Sequence, residues 1–249
     1  MKWFRNLSGI EKKGRIDLLT AADKESEEAI AKRIRTEFPQ HLLLAEEGSG
    51  GDAPQDGEFI WVVDPIDGTT NFAHGLPIFA VSIALCRGSE PIAGGVYAPA
   101  LGECYLAAKG AGATRNGLPI NVSSAQTMND ALMSTGFPYS FGDQAEWLTQ
   151  TYGRFLGQSR GVLRLGSAAI DIAYVAAGNL DGFYEPDLRP WDTAAAVLLV
   201  REAGGKVTPF EGTEYTPWNR TVVCSNRSIH DEILAGVADF PGVPNVSGK

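Results

Sequence analysis

Five apolar, aromatic or β-branched residues in succession, Phe59-Ile60-Trp61-Val62-Val63, run straight into Asp64-Pro65-Ile66-Asp67-Gly68. A run of that length and composition reads as a buried strand, and it delivers a carboxylate at its end. The chain has the material to bury such a strand. It is 249 residues long, 44% hydrophobic and 20% charged, which is ordinary for a globular protein with a sizeable core.

The segments on either side follow the same logic. Thr20-Ala21-Ala22-Asp23 reads as a capping box opening a helix whose Ile30, Ile34 and Phe38 share a face and which ends before Pro39. Leu42-Leu43-Leu44 reads as a strand followed by Glu46 and Glu47, and the Gly-, Asp- and Ser-rich stretch Gly48 to Gly57 reads as a surface loop. Strand patterns recur around Val81 to Cys86, Ile92 to Ala98 and Cys104 to Ala107, with a tight turn at Asn116-Gly117. This half is expected to be an antiparallel sheet flanked by helices. From about Met128 the pattern changes to longer helices alternating with short strands. Ser167 caps an alanine-rich helix that stops near Gly178, and a further helix runs from about Asp192 to Glu202 and closes at Gly204-Gly205. The division is therefore residues 1–128 as an N-terminal α+β lobe and 129–249 as a C-terminal α/β lobe.

Charge and cysteines exclude several classes of function. A net charge of −9 and a pI near 4.9 oppose direct nucleic-acid binding, which needs clustered Lys and Arg. Cys86, Cys104 and Cys224 are too scattered for a disulfide framework or a CxxC metal site and read as buried free thiols. No apolar run approaches the roughly 18 residues of a membrane span, and no signal-peptide core follows Met1-Lys2-Trp3-Phe4-Arg5, so a cytoplasmic protein without membrane partners is expected.

The acids carry the chemistry. Asp64 and Asp67, stiffened by Pro65 and released by Gly68, converge if the chain turns straight after the strand. Hard oxygen ligands of that kind suit Mg²⁺ or Ca²⁺. Thr69-Thr70-Asn71 can open a helix whose free N–H groups accept a phosphate. A turn in which Asp67 and Thr69 only cap is the competing reading. Glu46 and Glu47 read equally as a solvated pair, Asp192 as an N-cap or first-turn acid, and Asp23 as the capping-box acid. His41, His74 and His230 have no ligand spacing.

Taken together, Asp64 to Asn71, the stretch Trp191-Asp192-Thr193-Ala194-Ala195 continuing to Glu202-Ala203-Gly204-Gly205, Glu46-Glu47 before a Gly/Ser loop, Asp17-Leu18-Leu19-Thr20 leading to Asp23, Thr135-Gly136-Phe137-Pro138 and Gly166-Ser167-Ala168 resemble, in order, the motifs of the inositol monophosphatase family. The resemblance runs from about Lys12 to about Ile233. It implies a layered αβαβα sandwich of the inositol monophosphatase and fructose-1,6-bisphosphatase type. It also implies a Mg²⁺-dependent, lithium-sensitive, homodimeric phosphatase that hydrolyses an inositol monophosphate or similar small phosphate monoester.

Carried over position by position, the resemblance assigns two or three Mg²⁺ to Glu46, Asp64, the carbonyl of Ile66, Asp67 and Asp192. Asp67 and the N–H groups of Gly68 and Thr69 meet the substrate phosphate. Thr69, hydrogen-bonded to Asp23, helps orient and deprotonate water with Glu46 beside it. Gly166, Ser167, Ala168 and Glu185 line the substrate pocket, although Glu185 read by itself is an exposed acid. Thr70 favours the inositol branch, whereas relatives acting on phosphoadenosine phosphates tend to have Lys there and histidinol phosphatases Arg. A fructose-1,6-bisphosphatase or dual-specificity sugar phosphatase is the alternative, and an interaction protein retaining the fold is a further one. The start departs from the family pattern: only a short stretch precedes Lys12-Lys13, one of which stands at the family's active-site lysine.

Overall fold

The computed structural model describes residues 1–5, 10–12, 18–48, 54–138 and 142–242. A short antiparallel pair, β1 (Ile10–Lys12) and β2 (Leu18–Thr20), leads into helix α1 (Ala21–Glu37). The expected capping box is present, with Thr20 as N-cap. A seven-stranded sheet follows, built in chain order from β3 (Leu42–Ala45), β4 (Phe59–Asp67), β5 (Ala80–Arg87), β6 (Glu90–Ala98), β7 (Glu103–Ala108), β8 (Gly112–Arg115) and β9 (Leu118–Pro119). Helix α2 (Thr69–Ala73) interrupts it between β4 and β5. Ala31 and Ile34 of α1 pack on Leu43, Ala45 and Val63, covering one face.

The other face is lined with small residues. On β5 the buried positions are Ala80, Ser82, Ala84 and Cys86, and opposite them on β6 stand Gly94, Val96 and Ala98. Two helices use that room, α4 (Ala168–Ala176) and α5 (Pro190–Glu202). In α5 every residue from Thr193 to Val200 is buried, as a helix apolar on all sides must be. A second sheet of order β11-β10-β12-β14-β13 lies beyond them, made of β10 (Leu132–Thr135), β11 (Gly161–Leu163), β12 (Gly182–Pro186), β13 (Lys206–Thr208) and β14 (Thr221–Ser225). It is mixed, parallel at β11-β10-β12 and antiparallel at β12-β14-β13. Phe183 and Cys224 face α4 and α5, and their neighbours Tyr184 and Val223 face outward to α3 (Ala145–Gln158) and α6 (His230–Val237). The layers are thus αβαβα, as the resemblance implied.

Four details differ from the sequence reading. The first sheet is not wholly antiparallel: β3 and β4 run parallel, because the segment 46–58 is long enough to carry the chain back to the start of the next strand. Phe38 is 39% exposed; it lies past the last turn of α1 and stacks on His41 and Trp61. Cys104 is half-buried, while Cys86 and Cys224 are buried. Helix α5 starts two residues early, at Pro190, where its missing N–H is no loss.

Close approach of α5 to the first sheet depends on Gly94. A Cβ there would lie 2.9 Å from Ala195 Cα. Gly94→Ala should therefore destabilise the protein by about 1–3 kcal/mol through overpacking. Gly153→Ala, on the exposed face of α3 with nothing within 4 Å, should stabilise it by about 0.5–1 kcal/mol. Denaturant unfolding of both variants checks the contrast, and equal effects would show that the middle helix is not tightly seated.

Candidate active site

Strand β4 does not stop at Val63 but continues to Asp67. In a regular strand, residues three apart point to opposite faces. Here Asp64 pairs with Ser82 and Asp67 with Ala80, so β4 spends three steps where β5 spends two. The extra residue is a bulge at Pro65-Ile66, a place where a residue without an N–H is tolerated. It restores parity, and both aspartates face α5 alongside Ala80 and Ser82. The convergence expected from a turn is thus achieved by a bulge.

Asp192 comes from the first turn of α5, where its Oδ2 accepts from Arg189 N–H at 2.7 Å. The first-turn reading of this acid holds, and it also belongs to the cluster. Ser82, the cross-strand partner of Asp64, donates its hydroxyl to the Trp191 carbonyl at 3.1 Å and pins the start of α5 to the sheet. The carboxylate oxygens of Asp64, Asp67 and Asp192 consequently lie within 4.8 Å of one another. Glu46 follows β3, its N–H bonded to Val63 O at 3.2 Å, and Glu27 of α1 steadies the loop by accepting from Glu47 N–H at 2.7 Å.

The other two carboxylates in the cluster are held as well. Asp67 Oδ2 accepts from the Ser167 hydroxyl and from Ala169 N–H at the start of α4. Asp64 Oδ1 accepts from Ile66 N–H at 2.9 Å across the bulge. Gly68, the N-cap of α2, has φ of 90° and little room beside it, since a Cβ would lie 3.0 Å from Ile78 O. Only glycine fits that turn without strain.

Asp23 is fully buried behind Thr69 and divides its oxygens between two tasks. Oδ2 accepts from Thr20 N–H at 2.8 Å and from the Thr20 hydroxyl at 2.5 Å, which is the helix cap. Oδ1 lies 3.2 Å from Thr69 Oγ1, whose other acceptor within reach is Ile66 O at 3.0 Å. The helix-cap bonds of Asp23 and its bond to Thr69 coexist.

These groups surround one cleft of about 750 Å³, lined among others by Glu46, Asp64, Ile66, Asp67, Gly68, Thr69, Gly166, Ser167, Ala168, Glu185 and Asp192. Burial pushes the Asp64 carboxyl well above the usual carboxylate range, and the charges of Glu46, Asp67 and Asp192 push it further. Burial raises Asp67 to about 6 against the opposing hydrogen bonds from Ser167, Ala169 and Ala168. Asp192 is raised by burial and then by Asp67. Glu185 is buried, not exposed, and is raised by burial and then by Asp171. Buried acids that raise one another's affinity for protons are a ready host for a divalent cation, and an all-oxygen donor set matches a hard one such as Mg²⁺.

Some contributors escaped the sequence reading. Asn71 Nδ2 donates to the carbonyls of Ile78 and Leu165, each at 2.8 Å, and so ties α2 to the loop before α4. Its place inside the Asp64–Asn71 motif was the available signal. Glu27 also had one, because Asp23, Glu27, Ala31 and Ile34 form the buried stripe of α1. Asp171 and Arg164 line the cleft without a motif of their own. Asp17, Lys13 and the side chain of Lys12 lie outside the described residues. Among the described residues no histidine lines the cleft: His41 packs among aromatics, His74 ends α2, and His230 sits between Thr208 and Ser225.

Comparison with known proteins agrees with this arrangement. The model of the inositol monophosphatase family matches residues 1–240. Phosphatase IMPL1, chloroplastic, of Arabidopsis thaliana is 41% identical over 95% of this chain, which spans 65% of that relative's length. Inositol-1-monophosphatase of Synechocystis sp. is also 41% identical, over 93% of this chain and 81% of its own. Nus factor SuhB of Escherichia coli (strain K12) is 42% identical over 91% and 85%. Among solved structures, the IMPase of Thermotoga maritima matches with a TM-score of 0.88 at 38% identity, covering 96% of this chain and 90% of that one.

The raised acids fix how stability without divalent cations depends on pH. A carboxyl whose affinity for protons rises on folding binds more protons folded than unfolded, so stability falls as pH climbs above the unfolded value near 4. Asp192→Asn removes one such group and keeps an oxygen to accept from Arg189 N–H. In chelator its melting temperature should match or slightly trail wild type near pH 4 and exceed it increasingly toward pH 8. Melting curves across that range test the sign, and a variant that loses ground as pH rises would show that Asp192 is stabilised as an anion.

Proposed function

The chain belongs to the inositol monophosphatase family and is a phosphatase acting on phosphate monoesters; from that premise we propose that it hydrolyses inositol monophosphate in a Mg²⁺-dependent reaction by direct attack of water. The observation that carries the reading is the convergence of three acids from both halves of the chain, Asp64 and Asp67 buried and Asp192 half-buried, in one cleft. Asp64, Asp67 and Asp192 would hold the cations, with Glu46 and the Ile66 carbonyl completing the set. Bound magnesium supplies charge neutralisation for the phosphate and acidifies water.

The protein's own groups do the positioning. Gly68 and Thr69 present backbone N–H groups to the phosphate from the rim of the cleft. Asp23 Oδ1 accepts a hydrogen bond from the Thr69 hydroxyl, which leaves an Oγ1 lone pair free for water; as water gives its proton to Oγ1, the original hydroxyl proton passes to the Asp23 carboxylate. Ser167 is committed to Asp67 and orients that ligand, while Gly166 and Ala168 shape the pocket wall. Glu185 accepts from a hydroxyl of the leaving polyol. Phosphoryl transfer asks mainly for this kind of positioning and charge neutralisation and needs no covalent nucleophile.

Lithium inhibition, a cytoplasmic location and a homodimer complete the reading. Tyr97 and Leu106, exposed on one face of β6 and β7, supply apolar surface for a second copy. The likeness to Nus factor SuhB supports an additional interaction role, and the intact acid cluster favours retention of catalysis beside it. Fructose-1,6-bisphosphate remains the rival substrate.

A panel of phosphate monoesters, including inositol 1-phosphate and fructose 1,6-bisphosphate, assayed with Mg²⁺ and with excess EDTA, tests the proposal. Turnover should be highest on inositol 1-phosphate and vanish in EDTA; undiminished activity in chelator would exclude the cation mechanism. Asp23→Asn keeps acceptor capacity for the Thr20 cap, so stability should change by about 1 kcal/mol or less. It weakens the pull on the Thr69 hydroxyl, and turnover should fall by about 10² or more. Thr69→Ala should be similarly impaired. A fully active Asp23→Asn protein would reduce Asp23 to a helix cap.

A further inference from the structure

Between the strand that carries Glu185 and the helix that carries Asp192, the chain makes a turn with an unusual backbone. β12 ends at Pro186, α5 begins at Pro190, and Asp187 between them has φ of 66°. A side-chain-bearing residue in that region is uncommon, and it persists where the surroundings hold it. Arg220 provides the hold in two ways. Its guanidinium Nη2 pairs with Asp187 Oδ1, and its carbonyl accepts from Leu188 N–H at 3.1 Å.

The pair sits one rung past the last ladder position of β12 and β14, Pro186 opposite Thr221. Side-chain exposures are 16% for Asp187 and 33% for Arg220, and neither Asp187 Oδ1 nor Arg220 Nη2 has a hydrogen-bond partner among the described residues beyond this ion pair. Removing one member therefore leaves a half-buried charge unmatched. Asp187 also lines the cleft.

We infer that the Asp187–Arg220 ion pair is a latch that sets the position of Asp192 relative to Glu185, which makes Asp187 and Arg220 positioning residues for the cation and substrate sites. The inference rests on the assignment of Asp192 as a cation ligand and Glu185 as a substrate contact. The elements on either side are fixed independently, β12 by its ladders to β10 and β14 and α5 by burial in the middle layer. What the latch governs is the short connection, residues 187–189, whose last member donates its N–H to Asp192 Oδ2. Released from Arg220, Asp187 has no reason to keep a left-handed backbone. The Arg189 N–H then moves, and the Asp192 carboxylate moves with it.

The test is steady-state hydrolysis of inositol 1-phosphate by the full chain as a function of Mg²⁺, with melting temperature recorded alongside. Four variants are compared: Arg220→Met, Asp187→Asn, Asp187→Gly and the double Asp187→Asn/Arg220→Met. Asparagine keeps the size of the side chain and tolerates the backbone, while glycine removes the strain altogether and guards against a variant that fails to fold. Arg220→Met should raise the Mg²⁺ needed for half-maximal activity by about 10-fold or more, the range for groups that orient a ligand. KM should rise with it, and kcat at saturating Mg²⁺ should change little. Asp187→Asn and Asp187→Gly should share the direction, and the double variant should be less impaired than Arg220→Met because no unmatched carboxylate remains. If wild type depends on Mg²⁺ and every variant keeps its Mg²⁺ response and KM, the latch is refuted alone. If kcat falls with both constants unchanged, Asp187 acts on the reaction itself and the latch is again refuted. Wild-type hydrolysis indifferent to Mg²⁺ overturns the site assignment and the latch with it.

Discussion

Pro65 cannot donate to a sheet ladder, and the bulge it occupies resets the alternation of β4 between Asp64 and Asp67. Everything that makes the cleft chemical follows from that reset. Without the extra residue, one aspartate would face α1 and the other α5. With it, both acids stand over the small-residue face of β5, which is also the face that admits α5 and hence Asp192. The alanines of α5 and Gly94 of β6 are therefore part of the site's construction, although none of them is among the residues that line the cleft.

The same arrangement sets stability against function. Three acids are brought together in a largely buried place, where Asp67 and Asp192 raise the affinity of Asp64 for protons and Asp67 raises that of Asp192. The fold holds them by hydrogen bonds that leave some oxygens engaged: Asp67 by Ser167 and Ala169, Asp64 by Ile66, Asp192 by Arg189. Such bonds offset part of the repulsion and fix the carboxylates in place. Asp23 shows the economy of the design on a smaller scale, one oxygen serving the helix cap and the other serving Thr69.

Features written in local patterns were legible in the sequence. The β-branched run to Val63, the Thr20–Asp23 capping box, the Ser167 cap and the alanine-rich helices each depend on residues within a turn or a strand of one another, and each is present, although β4 runs on to Asp67 and α5 opens two residues early. The acids of the cleft were legible as a set only through the resemblance, because each alone had a sound structural explanation. The bulge was not legible, since parity is a property of two strands and the partner register cannot be seen in β4 alone. Likewise Phe38 continued an apolar stripe in the sequence, yet it falls after the helix has ended. Asp187 gave no signal because its backbone conformation is imposed by Arg220, more than thirty positions away in the chain.

The hydroxyl of Ser82 meets the Trp191 carbonyl across a sequence separation of 109 residues. A ribosome that has released β4 and β5 has already delivered Asp64 and Asp67, yet the third acid is still unmade. Until α5 is made and docked, the face of the first sheet that it covers has no partner and the cluster of three acids does not exist. A divalent cation held by all three acids, as proposed, would therefore find its complete donor set only once α5 is packed between the two sheets. Cation binding by that set would in this sense certify completed assembly, which a half-made chain could not do.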